Sequence, residues 1–143
     1  MFSNSAKYAM KAVLFLALHT NDNQKWMVKD IYSRINVPQS YLAKILQELS
    51  KRDVISSSRG PKGGFYLSEA NFDLPLIKIV DVIDGEQRLR SCMLSIKECD
   101  SDNPCALHDL VGNTNSEFIK RLEQTTILDL ISDVKEGKSV LPL

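Results

Sequence analysis

Apolar residues recur along this chain with two periods, and the changes between them mark out its elements. Ala12 to Leu18 is a nearly unbroken apolar run behind Lys7 and Lys11, long enough for a buried helix and too short for a membrane span. His19-Thr20-Asn21-Asp22 follows without a small-residue cleavage site, so the run reads as a core helix and not as a signal peptide. Val28, Ile31, Tyr32 and Ile35 repeat at helical spacing until Asn36-Val37-Pro38 breaks the run. A second helix follows, with Leu42, Ile45, Leu46 and Leu49 as its buried stripe and Gln39, Ser40, Tyr41, Lys44 and Gln47 on other faces. Two short β-prone runs between Ile55 and Leu67 then flank Gly60, Pro61, Gly63 and Gly64, which predicts a hairpin.

Downstream, Asp73-Leu74-Pro75 opens a short helix with Leu76, Ile79, Val80 and Ile83 on one face and Gly85 as its stop. From Gly85 to Asn103 the chain is polar and irregular. Asp102, Asn103 and Pro104 read as the start of a longer helix carrying Leu107, Leu110, Val111, Phe118 and Leu122. A domain this small hardly covers that stripe by itself. A partner's matching helix is the expected cover, giving a twofold homodimer, and packing back onto the chain's own helices is the alternative. Thr125-Thr126-Ile127-Leu128-Asp129 has the form of another helix start, with Leu128 and Ile131 as anchors, and the tail after Val134 is expected to fray. The pattern predicts a mainly α fold with a small β-hairpin wing. Residues 1–70 are expected to form a winged helix-turn-helix DNA-binding domain, and residues 71–143 a cluster-binding loop and dimerisation helices.

Charge sharpens this picture. The formal net charge is zero, yet residues 1–67 carry ten Lys and Arg against four Asp and Glu, and residues 68–143 carry eight against fourteen. A basic half beside an acidic half suggests that the first meets a polyanion. In helix-turn-helix proteins the second helix enters the major groove N-terminus first. Gln39, Ser40 and Tyr41 are therefore the candidate base readers, and Lys44, Arg59 and Lys62 the candidate phosphate or groove contacts. An amphipathic hairpin that merely packs is the bland alternative. A nucleotide phosphate loop at Gly60 to Gly64 is disfavoured, because the G-K-[ST] ending that would place Lys and a metal-binding hydroxyl is missing. No catalytic constellation is apparent, and 43% hydrophobic composition in 143 residues suits one soluble core, expected in the cytoplasm.

All three cysteines fall between Cys92 and Cys105, with Cys99 between them, and His108 follows three residues after the last. Three thiolates and one imidazole fill a tetrahedral metal site, and the predicted helix start would put Cys105 and His108 on one face. The odd count argues against a disulfide framework. Unrelated small hydrophobic cysteines and redox thiols are the other readings, as is a small iron–sulfur electron carrier. Spacing alone leaves zinc and an iron–sulfur cluster open: neither a short C-x(2–4)-C knuckle nor the tight run of a bacterial ferredoxin is present.

Tyr8-Ala9-Met10, Pro38-Gln39-Ser40-Tyr41-Leu42 and the wing from Arg59-Gly60-Pro61-Lys62 to Gly63-Gly64-Phe65-Tyr66-Leu67 resemble the bacterial winged-helix regulators that include IscR and NsrR. The resemblance runs nearly end to end. It implies a homodimeric transcription factor on double-stranded DNA, many relatives of which sense iron–sulfur status, nitric oxide or redox stress through a cluster on three cysteines. Cys92, Cys99 and Cys105 match those positions, and His108 matches the fourth ligand of the IscR type, which implies a 2Fe-2S cluster. The gap from Cys92 to Cys99 is one residue longer than in that type. In NsrR-like sensors an acidic residue of the first helix can complete the cluster from the partner subunit; this chain has Lys7 and Lys11 in that neighbourhood, so the resemblance does not extend to a cross-subunit carboxylate.

Overall fold

Helix α1 (Asn4–His19) is buried on most sides, with Ala6, Ala9, Ala12, Val13, Phe15 and Leu16 at 0–1% exposure. It is the central helix that its apolar run predicts. The computed structural model describes residues 2–20, 24–95 and 97–142. Asn21 and Asp22, in the stretch read as lacking a cleavage site, lie outside them. Ser3 caps α1 by accepting the Ala6 N–H at 3.0 Å.

Helices α2 (Val28–Ile35) and α3 (Gln39–Lys51) pack on α1 across the three-residue turn Asn36, Val37 and Pro38. Asn36 is left-handed at φ 55°, and the Val37 N–H bonds back to the Tyr32 carbonyl at 3.1 Å, which closes α2 and sets the angle of α3. Ile31 and Ile35 face the core with Leu42, Ile45, Leu46 and Leu49. Tyr32, one step round the helix from Ile31, is exposed.

Strands β1 (Ser56–Ser58) and β2 (Gly64–Tyr66) form the antiparallel wing, with Ser57 opposite Phe65. A third segment holds it: Trp26 exchanges backbone bonds of 2.9 and 2.8 Å with Phe65. Gly64 permits this approach, because a Cβ there would lie 2.8 Å from the Trp26 carbonyl oxygen at φ +144°. Beneath the wing, buried Asn71 donates to the Asp53 carbonyl at 3.0 Å and accepts from Ser56 and from Ser68. The contacts with Asp53 and Ser56 tie the wing base to α4 (Glu69–Phe72), and those with Ser68 cap that helix.

Helix α5 (Ile77–Asp84) buries Ile79 and Val80 against α1 and stops at Gly85, φ +86°. After α6 (Gln87–Arg90) comes the cysteine-bearing loop, then a π-helical turn at His108–Gly112 that continues into α7 (Asn113–Gln124). The helix expected from Pro104 thus begins at His108. The cap candidates are engaged elsewhere: Asp100 accepts the Asp102 N–H and the Asn103 side-chain amide, both at 2.9 Å, which folds residues 100–103 into a local turn.

Helix α8 (Ile127–Lys135) starts at the expected capping box of Thr126 and Asp129. Its anchors are Ile127 and Ile131, both fully buried, while Leu128 is 45% exposed. Ile127 and Ile131 are the i, i+4 pair that shares the core face. The helix end is closed and not frayed. Lys138 and Gly137 return hydrogen bonds to the carbonyls of Asp133 and Val134, with Gly137 left-handed. Among the described residues, no helix is long and apolar enough to cross a membrane.

Candidate nucleic-acid interface and metal centre

Gln39 and Ser40 are the first two residues of α3, both exposed, and Lys44 is exposed one turn on. Tyr41, expected beside them as a base reader, is half-buried: its hydroxyl is hydrogen-bonded to Ser5 of α1, and its ring meets Tyr8 edge-on at 5.7 Å. Arg59 and Lys62 stand exposed at the wing tip. Among the described residues, the ion pairs involve none of Lys44, Arg59 and Lys62. Exposed cations at a wing tip and the open first turn of the second helix are the features that helix-turn-helix proteins turn toward DNA.

The sequence places the four candidate metal ligands around one small space of about 10 Å³, lined by Cys92, Cys99, Cys105 and His108. Two local devices bring them together. The Cys92 N–H bonds to the Lys97 carbonyl at 2.7 Å beside the bridge of Ser91 to Glu98, folding the loop back on itself. The His108 N–H bonds to the Cys105 carbonyl at 2.9 Å, so a turn supplies the spacing that a helix was expected to give. Cys99 Sγ lies 3.2 Å from His108 Nδ1. The Cys92 thiol is pushed down by the Leu94 N–H and then by Cys105; the Cys105 thiol is pushed up by Cys92. The donors are gathered, not closed: among the described residues no three His, Cys, Asp or Glu side chains take up the arrangement of a metal-ion site.

Three supporting residues carry no sequence signal. Arg90 bonds Asp81 of α5 at 3.0 Å and Glu123 of α7 at 3.4 Å, and Asp81 foremost raises its already high pKa. Asn115 donates to the Leu89 carbonyl at 2.8 Å, pinning α7 to the residues just before Cys92. Buried Gly112 lies under the His108 ring. An Arg, an Asn and a Gly among ordinary helix residues look like surface positions until the chain is folded.

Beside this space is an open groove of about 660 Å³ between α6 and α7. Cys92, Met93 and Val111 belong to both. The expected stripe is divided here. Leu122 is buried in the chain's own core and Phe118 packs against Phe2 in a tilted pair, ring centroids 5.7 Å apart, while Leu110 is 75% exposed with Met93 and Leu94 at 64% and 62%.

The helix-turn-helix, its anchored wing and the cationic face define a winged-helix DNA-binding regulator. The chain belongs to the Rrf2 family, described as iron-dependent transcriptional regulators, which it matches over residues 2–133. It is 33% identical over 145 residues to a protein of Aquifex aeolicus (strain VF5) named among HTH-type transcriptional regulators, covering 100% of this chain and 98% of that one. It is 27% identical over 131 residues to the transcriptional regulator IscR of Vibrio vulnificus (strain YJ016), covering 92% and 77%. The fold is also that of CymR, the global cysteine regulator of B. subtilis, with a TM-score of 0.74 at 24% identity over 92% and 96% of the two chains. These relatives are regulators and not enzymes, and the expected family, fold class and DNA-binding role stand.

Proposed function

We propose that this chain is a homodimeric, sequence-specific DNA-binding regulator whose operator affinity is set by an iron–sulfur cluster, of 2Fe-2S type, on Cys92, Cys99, Cys105 and His108. The observation that carries the reading is the convergence of three thiols and one imidazole on one space. That donor set fits: three soft sulfurs and one nitrogen, without a carboxylate among them, suit cluster iron. When bound, the cluster supplies reversible one-electron redox chemistry, at a potential raised by the nitrogen ligand relative to four thiolates.

The protein's own part is to hold and report. A space of about 10 Å³ requires the loop of residues 93–104 to open around a cluster, so binding reorders the segment between α6 and the π turn. Arg90 and Asn115 fasten the edges of that segment to α5 and α7. The second copy seats on Leu110, Met93 and Leu94 along the groove that shares Cys92, so the sensing and dimer surfaces adjoin. Residues 1–70 carry the DNA contacts, with Gln39 and Ser40 at the bases and Lys44, Arg59 and Lys62 on phosphates or in a groove. Residues 71–143 carry the sensor and dimer surface, and the protein works in the cytoplasm with its DNA.

Retardation of an operator selected from random duplexes tests this, with anaerobically purified protein before and after iron removal by a chelator. The proposal expects a change in affinity of at least tenfold; equal affinity in both forms would refute cluster control.

A second reading rests on Cys92 and Cys105 lining one space with their thiol pKa values pushed in opposite directions. A cluster-free regulator would use that pair as a thiol switch. The Cys92 thiolate attacks a peroxide and leaves as sulfenic acid with release of an alcohol or water, and the Cys105 sulfur then forms the S–S bond with loss of water. Two electrons pass from the thiols to the peroxide. Mass spectrometry of the peroxide-treated protein distinguishes this from the cluster reading.

A further inference from the structure

Residues 2, 3 and 5 each reach a different element. Phe2 packs on Phe118 of α7, with ring centroids 5.7 Å apart. Ser3 gives its backbone N–H at 3.3 Å and its hydroxyl to the carboxylate of Asp84, the last residue of α5, while its own oxygen caps Ala6. Ser5 shares a hydrogen bond with the hydroxyl of Tyr41, in the first turn of α3 beside Gln39 and Ser40. Tyr41 is further held by the edge of Tyr8, one turn along α1. None of these contacts is needed to complete the core, because Leu42, Leu46 and Leu49 already bury α3.

We infer that the first turn of α1 is the joint that aims the reading end of α3, with Ser5 and Tyr41 as positioning residues and Asp84 as the anchor that holds the joint to α5. The physical reason is angular. The apolar stripe of α3 fixes its depth against α1 but lets the helix roll and slide by small amounts, since Leu contacts have no direction. A hydrogen bond at the first turn has direction, and its position decides where Gln39 and Ser40 point. Base discrimination needs side chains within a few tenths of an ångström of bidentate geometry, whereas phosphate contacts from Lys44, Arg59 and Lys62 tolerate more. The joint should therefore govern discrimination between sequences more than affinity for DNA as such. This rests on the assignment of α3 as the recognition helix.

The test is the ratio of affinities for a selected operator and for random duplex, measured for Ser5→Ala, Tyr41→Phe, both together, Asp84→Asn and Gln39→Ala. Ser5→Ala is expected to lower the ratio by about fivefold, the factor that one directed hydrogen bond supplies, with unchanged affinity for random duplex and a melting temperature lowered by no more than a few degrees. The Ser5→Ala and Tyr41→Phe pair should lose no more than either single variant, because both remove one bond. Asp84→Asn should lower the ratio in the same direction. Additive losses, equal loss on both DNAs, or no loss would overturn the joint. Gln39→Ala separates the two levels: if it leaves the ratio unchanged, α3 is not the reader and the joint falls with it. If Gln39→Ala lowers the ratio while Ser5→Ala and Tyr41→Phe do not, α3 reads DNA and the joint alone is wrong.

Discussion

A Cβ at Gly112 would lie 3.2 Å from both Nδ1 and Cε1 of His108, so the imidazole rests on the one residue of the π turn that has no side chain. A π turn inside a helix often marks a functional position, and here it brings residue 112 back under residue 108. Gly112→Ala must displace the ring by a few tenths of an ångström. Alanine favours helical backbone over glycine by about 0.5–1 kcal/mol, so the variant should melt no lower than the parent. Reconstituted variant protein should nonetheless lose iron several times faster, measured by chelator competition. A lowered melting temperature with unchanged iron release would mean that Gly112 serves packing alone.

The dimer seam is predicted to centre on Leu110. Leu110→Glu adds a charge at a 75% exposed position, which the monomer tolerates and an apolar interface does not. Sedimentation should show a monomer with a normal melting curve. Phe118→Glu should also dissociate the dimer, but with lower stability, since it removes the contact with Phe2. An unchanged dimer for Leu110→Glu at micromolar concentration places the interface elsewhere.

Wing and helix should fail in different ways. Arg59→Ala should weaken binding to all sequences and reduce the log–log salt slope by roughly one unit, the share of one phosphate. Gln39→Ala should cost about 1–3 kcal/mol at one base position only. A salt titration against operator and random duplex separates the two.

The Asp129 carboxyl is held below the usual range by the Thr126 N–H, then by the Thr126 hydroxyl. Its contribution to α8 is thus full above the unfolded carboxylate range, near about pH 4, and is lost as pH falls through the lower folded value. Asp129→Asn should lower stability at neutral pH and leave it little changed in strong acid, which flattens the acid limb of the stability curve. Thermal melts between neutral and strongly acidic pH check this, and an unaltered acid limb would show that the box adds nothing.

Much of the fold was legible because local rules and burial agree there. Leu42, Ile45, Leu46 and Leu49 repeat at helical spacing and are all buried; Thr126 and Asp129 form the box their spacing announces. The candidate ligands were legible as composition, since cysteines are few. Their geometry was not. Asp100 competes for Asp102 and Asn103, and a capping motif carries no record of such a rival. The bridge from Trp26 to Phe65, the Asn71 network and the contacts of Ser3 and Ser5 are long-range pairings, which no short window contains. The sequence pointed to Leu128 and Ile131 as the anchors of α8; Ile131 is one, but the docking of Ile127 beside Leu74 makes Ile127 the other and leaves Leu128 outward.

Iron and acid-labile sulfide content of anaerobically purified protein, followed by pulsed electron paramagnetic resonance on the reduced sample, tests the central claim most directly. The account predicts about two irons and two sulfides per chain with one coupled nitrogen, removed by His108→Ala. Zinc in place of iron, or a Cys92–Cys105 disulfide without metal in protein kept from oxygen, would contradict it.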